Sequence, residues 1–331
     1  MLGKICCFGE LLLRFSPTDD WLDTHQLPFF LGGSELNVAQ ALNDWALPTQ
    51  YITALPDHYL STAITAELSS KGIDVQDIVL TGDRIGMYFL PIGSELKNTE
   101  VIYDRNHSGF STLKKGTIDW KKALKNTSWV HISAITPALN DDVAAVCLEL
   151  LESASSLGIT ISLDLNYRKQ LWHHQPHPER VIEPLLEHCD LIMGNLWSVS
   201  ELTSIKASVS SSQGQSKTQL VQAGFKSIDS MRKRFQKVQK IAYTYRMATS
   251  YFAVMQTQTE QLISQTYPIA KIIDKVGTGD CFMAGLIYSA HNQLDDRSAL
   301  ALAVAAAVGK HQIAGDATQQ LIDDIKKNML Q

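Results

Sequence analysis

The chain has 331 residues, 45% of them hydrophobic, enough to fill the core of one long α/β domain or two shorter ones. Its 34 acidic residues outweigh 29 Lys and Arg, and the net charge of -5 argues against nucleic acid, whose binders carry a basic face. Five cysteines, an odd number with no C-x-x-C pair, suggest neither a disulfide framework nor a zinc site and fit a reducing cytoplasm.

Residues 4–8 read as a buried strand, and the apolar stretch continues through 11–15. Glu10 and Arg14 interrupt it, so no secretion signal is expected. Gly32 and Gly33 precede a helical pattern at 36–45, with Leu36, Ala39 and Leu42 as its apolar stripe. A strand at 51–54 and a helix at 61–71 follow. Residues 85–92 and 100–105 pair as a hairpin with no helix between them. Strands at 129–133 and 159–163 flank a helix at 141–157. Beyond 163, Asp164, Asn166 and Arg168 alternate, so their side chains converge if the strand continues. His173, His174 and His177 are interleaved with Pro176 and Pro178; their spacing fits no zinc pattern, and the segment reads as a solvated loop. After a strand at 191–194, residues 207–219 are rich in Ser and Gln and read as a flexible loop inside the domain. A helix at 231–240, a strand at 241–245, and helices at 279–292 and 297–309 complete the chain. The longest apolar run, 299–308, is too short to span a bilayer. Strands alternating with helices give an α/β fold with a largely parallel sheet.

The most informative stretch is DKVGTGDCFMAGL, residues 274–286. Phe282, Met283, Leu286 and Ile287 recur at helical spacing, which puts Gly277, Thr278 and Gly279 in the turn that opens the helix. Such a turn aims unpaired N–H groups and the positive end of the helix dipole at whatever lies before it, which makes an anion site. Asp280, in the first helical turn, would place a carboxylate beside a bound phosphate. The spacing is neither a P-loop nor a dinucleotide G-x-G-x-x-G.

This stretch resembles the signature D-x-x-G-A-G-D-x-F-x-x-G of the ribokinase-like (PfkB-type) carbohydrate kinases, through Asp274, Gly277, Gly279, Asp280, Phe282 and Gly285, with Thr278 where Ala is usual. LGGSELNVAQAL, residues 31–42, is similar to the family's first signature. The resemblance spans about residues 9–316. It implies a single ribokinase-like domain over 1–331, a three-layer αβα sandwich with a mostly parallel central sheet. A small β-sheet lid from about 11–16 and 84–105 would cover the sugar and join subunits of a homo-oligomer. By the same resemblance, Gly277, Thr278 and Gly279 form an anion hole for the transferred phosphoryl group and Asp280 deprotonates the acceptor hydroxyl. Phosphoryl transfer asks mainly for positioning and charge stabilisation. Asn37 points a two-way amide toward sugar hydroxyls, and Gly33 lets the backbone approach them.

Further blocks resemble the 2-keto-3-deoxygluconate kinases of the family: a GE-x-x-x-R start, the lid segments around Tyr88 and Tyr103–Arg105, SLDLNYRKQLW and KHQIAGD. They imply that Gly33, Tyr88, Tyr103, Arg105 and Arg168 contact a keto acid, whose carboxylate suits bidentate arginine. The implied enzyme is a cytoplasmic, ATP- and magnesium-dependent kinase of the terminal hydroxyl of 2-keto-3-deoxygluconate, giving 2-keto-3-deoxy-6-phosphogluconate. A kinase for fructose, ribose or a nucleoside, or a silent sugar-binding regulator, stands as the alternative. Arg14 is left outside the site as a solvated side chain.

Three segments depart from the family pattern. Ala54-Leu55-Pro56-Asp57 lacks the usual glycines. The N-x-x-E motif keeps Asn195, expected at the nucleotide and metal, but has Ser198 at the acidic position, with Glu201 three residues late. Residues 242–252, AYTYRMATSYF, replace a glycine-containing strand and turn.

Overall fold

Alternate residues of the strand Lys4–Phe8 enter two different cores: Cys6 and Phe8 pack into one, Ile5 and Cys7 into the other. That is the period-two consequence of a strand buried on both faces, and it explains why the run is apolar throughout. The computed structural model describes residues 3–91, 101–173, 175–209, 212, 214–269 and 272–329. Among them, a nine-stranded sheet separates the two cores. In spatial order its main path runs Gln261–Ile263, Ser250–Gln256, Lys240–Arg246, Leu191–Gly194, Thr160–Asp164, Thr127–Ser133, Lys4–Phe8 and Thr49–Ile52. From Lys240–Arg246 to Thr49–Ile52 the pairing is parallel, and the Ser250–Gln256 edge is antiparallel.

Helices cover both faces. Asp141–Ser156, Glu179–Leu186 and Lys217–Arg234 bury Val146, Ile182 and Ile228 against Cys6 and Phe8's side of the sheet. Ser34–Asp44, Thr278–His291 and Asp296–Lys310 bury Leu36, Phe282 and Val304 on the other. The fold is thus the ribokinase-like αβα sandwich. Leu12–Phe15, Phe29–Gly32, Gly86–Phe89 and Ile102–Asp104 form a separate four-stranded sheet. The segments expected to build a lid pair here, although residues 92–100 lie outside those described.

Three expectations need correction. The strand expected at 51–54 divides, and Ala54–Leu55 pairs instead with Val79–Leu80. The helix expected at 231–240 runs from Lys217 to Arg234, and the chain re-enters the sheet at Lys240. The loop expected at 207–219 therefore ends early, because Ser216 and Gln219 form a capping box that starts the helix. Residues 210, 211 and 213 of that segment lie outside those described. Among the described residues, no helix is long and apolar enough to cross a membrane, and all five cysteines are buried and free.

Candidate active site

The carboxyl ends of the parallel strands open into a cavity of about 1050 Å³, where ligands of open α/β sheets commonly sit. Asp164, Gly194 and Arg246 end three of these strands and line it. Gly33, Asn37, Tyr88, Tyr103, Arg105, Arg168, Asn195, Gly277, Thr278, Gly279 and Asp280 line it as well. Every candidate site residue from the sequence therefore faces one space.

At one end the two glycine-bearing turns meet. Gly277 has φ +78, and a Cβ there would stand 1.9 Å from the Asp316 carbonyl oxygen, so the turn admits only glycine without rearrangement. It caps the helix Thr278–His291, whose first-turn N–H groups have no partner within the helix. Gly33 has φ +127, and a Cβ there would stand 2.4 Å from the Glu10 carbonyl oxygen. It caps the helix Ser34–Asp44. From that helix, Ser34 Oγ donates to Asp280 Oδ1 at 2.6 Å and Asn37 Nδ2 donates to Oδ2 at 2.7 Å. Asn37 Oδ1 is buried without a partner, open to a hydroxyl donor. Burial raises the Asp280 carboxyl above its ordinary range, opposed by Asn37 and Ser34 and, more weakly, by the Arg168 and Lys310 charges. Asp164, close to Gly279, is pushed up to about 7 by burial and then by the Asp280 charge.

Asp164, Asn166 and Arg168 converge as expected, but through a turn: the strand ends at Asp164, whose Oδ1 accepts the Asn166 N–H at 3.0 Å. Arg168 and Arg246 line the cavity, and among the described residues neither has a carboxylate within ion-pair distance.

The other end is formed by the small sheet. Arg105 is 3% exposed and its Nε donates to Glu10, which also accepts from Ser108 Oγ. Both terminal Arg105 nitrogens are buried without partners among the described residues. The Tyr88 and Tyr103 rings lie 6.1 Å apart, and the Tyr88 hydroxyl donates to Asp316.

Arg14 contradicts its reading as solvated. It is 2% exposed, and its Nη1 contacts Asp274 Oδ2 at 2.8 Å and Asp316 Oδ1 at 3.2 Å. Asp274 Oδ1 and Oδ2 also accept the N–H groups of Val276 and Gly315. Arg14 thus ties the small sheet to the segment before the Gly277 turn. The sequence missed this role, and that of Ser34 and Lys310, although Asp274 and Asp316 lie in the two blocks already singled out. Lys310 is fully buried and its ammonium donates to the carbonyls of Ile313 and Gly315.

The incomplete N-x-x-E motif has a structural reason. Asn195 Oδ1 accepts the N–H groups of Trp197 and Ser198, and Ser198 Oγ accepts the Asn195 N–H at 2.8 Å. Ser198 completes a helix cap where an acidic residue was expected, while burial and then the Glu201 charge raise the Tyr167 hydroxyl. Among the described residues, no group of three or more His, Cys, Asp and Glu could hold a metal. Of the three loop histidines, His173 lines the cavity and His177 contacts Glu179 at 3.1 Å; His174 lies outside the described residues.

Comparison with known proteins agrees with the fold. A 2-dehydro-3-deoxygluconokinase from Thermotoga maritima is 30% identical and superposes with a TM-score of 0.86 over 98% of each chain. A 2-dehydro-3-deoxygalactonokinase from Haloferax volcanii is 31% identical over 174 residues, and that alignment spans about half of each protein, 52% of this chain and 54% of the relative. An E. coli protein solved in complex with ATP and Mg²⁺ shares the fold, with a TM-score of 0.80, 18% identity and 99% coverage of both chains. Residues 2–319 match the pfkB family carbohydrate kinase, and the chain belongs to that family.

Proposed function

We propose that this protein is an ATP- and magnesium-dependent kinase that phosphorylates the terminal hydroxyl of 2-keto-3-deoxygluconate to give 2-keto-3-deoxy-6-phosphogluconate. One observation carries the reading: the two glycine-bearing turns meet at the Asp280 carboxylate, in the same cavity as the open nitrogens of Arg105. Asp280 takes the proton of the acceptor hydroxyl. Its raised pKa suits a base, since efficiency is greatest when the pKa lies near the working pH. Asn37 Oδ1 orients that hydroxyl by accepting from a sugar OH, while its Nδ2 holds the base.

The residues present fit a polyphosphate. The Gly277 turn offers helix-start N–H groups, and Arg168 and Arg246 bring positive charge with no carboxylate at ion-pair distance among the described residues. ATP, when bound, supplies the phosphoryl group, and Mg²⁺ neutralises charge. With no protein cage of three acidic or imidazole ligands among the described residues, the ion would rest mainly on phosphate oxygens and water, which suits its reluctance to dehydrate. Asn195 would lie beside the nucleotide rather than ligate the ion, because capping occupies its oxygen.

At the far end Arg105 receives the substrate carboxylate, Tyr88 and Tyr103 wall the keto end, and Gly33 lets the carbon chain lie close to the backbone. Two exposed apolar side chains of the small sheet, Phe29 and Ile102, support a lid that also joins subunits in a cytoplasmic homo-oligomer. The gluconate and galactonate acids of the two relatives are epimers at one carbon, so the test must separate them. Coupled ADP release would be measured with 2-keto-3-deoxygluconate, its galactonate epimer, fructose and ribose. The reading expects turnover of the keto acids and little with the neutral sugars. Equal activity on fructose would sink the carboxylate assignment.

A further inference from the structure

Ser34 is itself held by another side chain. Asn166 Nδ2 donates to Ser34 Oγ at 3.0 Å, and Ser34 Oγ donates to Asp280 Oδ1 at 2.6 Å. A hydroxyl carries one proton; once an amide N–H occupies one lone pair, that proton is left for the carboxylate. The direction of the second bond is thus set by the first. Asn166 is placed for this by an uncommon backbone, φ +22, a sign that Asn and Asp tolerate better than most residues. The Asp164 carboxylate, 4% exposed, accepts its N–H at 3.0 Å and holds the turn.

We propose that Asn166 and Ser34 are positioning residues, a two-bond relay that fixes both the orientation and the basicity of Asp280. The proposal rests on Asp280 being the base. The relay acts among other groups facing that carboxylate. Asn37 donates from the same helix as Ser34, Arg168 follows the strand Thr160–Asp164, and Lys310 ends the helix Asp296–Lys310. The charges of Arg168 and Lys310 favour the ionised form. Burial and then the ionised Asp280 in turn raise the Asp164 carboxyl, which holds its proton up to about pH 7, and the buried Cys281 thiol next in the chain stays neutral. Ser34 and Asn37 are the side chains that hydrogen-bond the carboxylate among the described residues, so removing one donor is felt directly.

The pH dependence of kcat/KM tests the relay. Asn166→Asp keeps the side-chain shape but replaces the donor by an acceptor. Ser34 then turns its proton toward position 166, and Asp280 loses a donor while gaining a nearby negative charge. The acid limb is expected to move up by about one unit or more, which is roughly a tenfold loss per unit at pH values below it. Ser34→Ala removes the donor and moves the limb up by about one unit. Asn166→Gly keeps the left-handed backbone available and removes only the amide, moving it up by about half a unit. A uniform loss across pH with an unmoved limb, or an unchanged profile, overturns the relay. Asp280→Asn separates the two readings. If it is inactive while the limbs stay in place, the base stands and the relay falls. If it keeps near-full turnover, both fall.

Discussion

At the Asp280 end of the cavity the reacting carboxylate is already held by two side chains from a neighbouring helix start, whereas at the Arg105 end the recognition side chain keeps buried donors open. Asp280 holds two side-chain donors before any substrate arrives. Arg105 spends its Nε on Glu10 and keeps two buried nitrogens unpaired. An unsatisfied buried donor costs about 1–3 kcal/mol, which a matching ligand returns on binding. The difference separates a pre-set reacting group from a recognition surface completed by its ligand.

The sharpest way to break this comparison is Asp280→Asn. Loss of a positioned base lowers kcat by about 10²–10⁴-fold, with little change in KM because the recognition end is untouched. A folded variant with near-wild-type kcat would make the two ends alike and remove Asp280 as base.

The two ends also differ in how far the sequence reveals them. Gly277, Thr278, Gly279 and Asp280 are contiguous, and one helical turn converts their order directly into geometry. Arg14 is different. Its burial depends on Asp274 and Asp316, partners 260 and 302 residues away, so nothing near position 14 shows that its charge will be enclosed. Ser34 falls between these cases: its place at a helix start was legible, but its bond to Asp280 bridges 246 residues. The strands Lys4–Phe8 and Leu191–Gly194 matched because burial on both faces leaves an unbroken apolar run. Lys217–Arg234 was misread because its first turns carry the polar residues that also signal a loop, and only the Ser216–Gln219 box marks its start.

Arg14 couples the two ends, since it joins the small sheet to Asp274, ahead of the Gly277 turn, and to Asp316, whose carbonyl packs against that turn. Arg14→Met would leave Asp274 and Asp316 buried without their shared cation. Breaking such a pair costs about 3–5 kcal/mol, so urea unfolding should show a loss of that order. The raised Asp316 carboxyl, pushed up to about 6 by burial even with Arg14 present, should rise further in the variant. A loss below about 1 kcal/mol would show that the ends are held independently.

The Asp280 end also contains one uncomfortable group. Asp164 has an ordinary pKa of 3.8 and is pushed up to about 7 in the folded protein. The folded state therefore binds its proton more tightly than the unfolded chain. The stability it contributes is fully present below about pH 4 and is lost as pH rises through 7. Asp164→Asn keeps an oxygen to accept the Asn166 N–H and removes the charge. It should stabilise the fold by on the order of 2–4 kcal/mol at pH 8, with the gain shrinking toward zero near pH 4. Denaturation midpoints at several pH values read this directly, and a gain that does not depend on pH would mean that the charge of Asp164 is not its source.

The smallest expected effect probes the open end alone. Arg105→Lys keeps a cation beside Glu10 but loses the planar fork that meets a carboxylate with two parallel bonds. A charge-assisted hydrogen bond contributes about 1.5–3 kcal/mol, so kcat/KM for a keto acid should fall by roughly tenfold to a hundredfold, mostly through KM. The weak turnover of a neutral sugar should change little, since that substrate never used the fork. If both substrates lose equally, Arg105 acts by holding Glu10 and the small sheet in place rather than by recognition. The open nitrogens would then be a cost of the fold at this end, and the contrast between the two ends would rest on Asp280 alone.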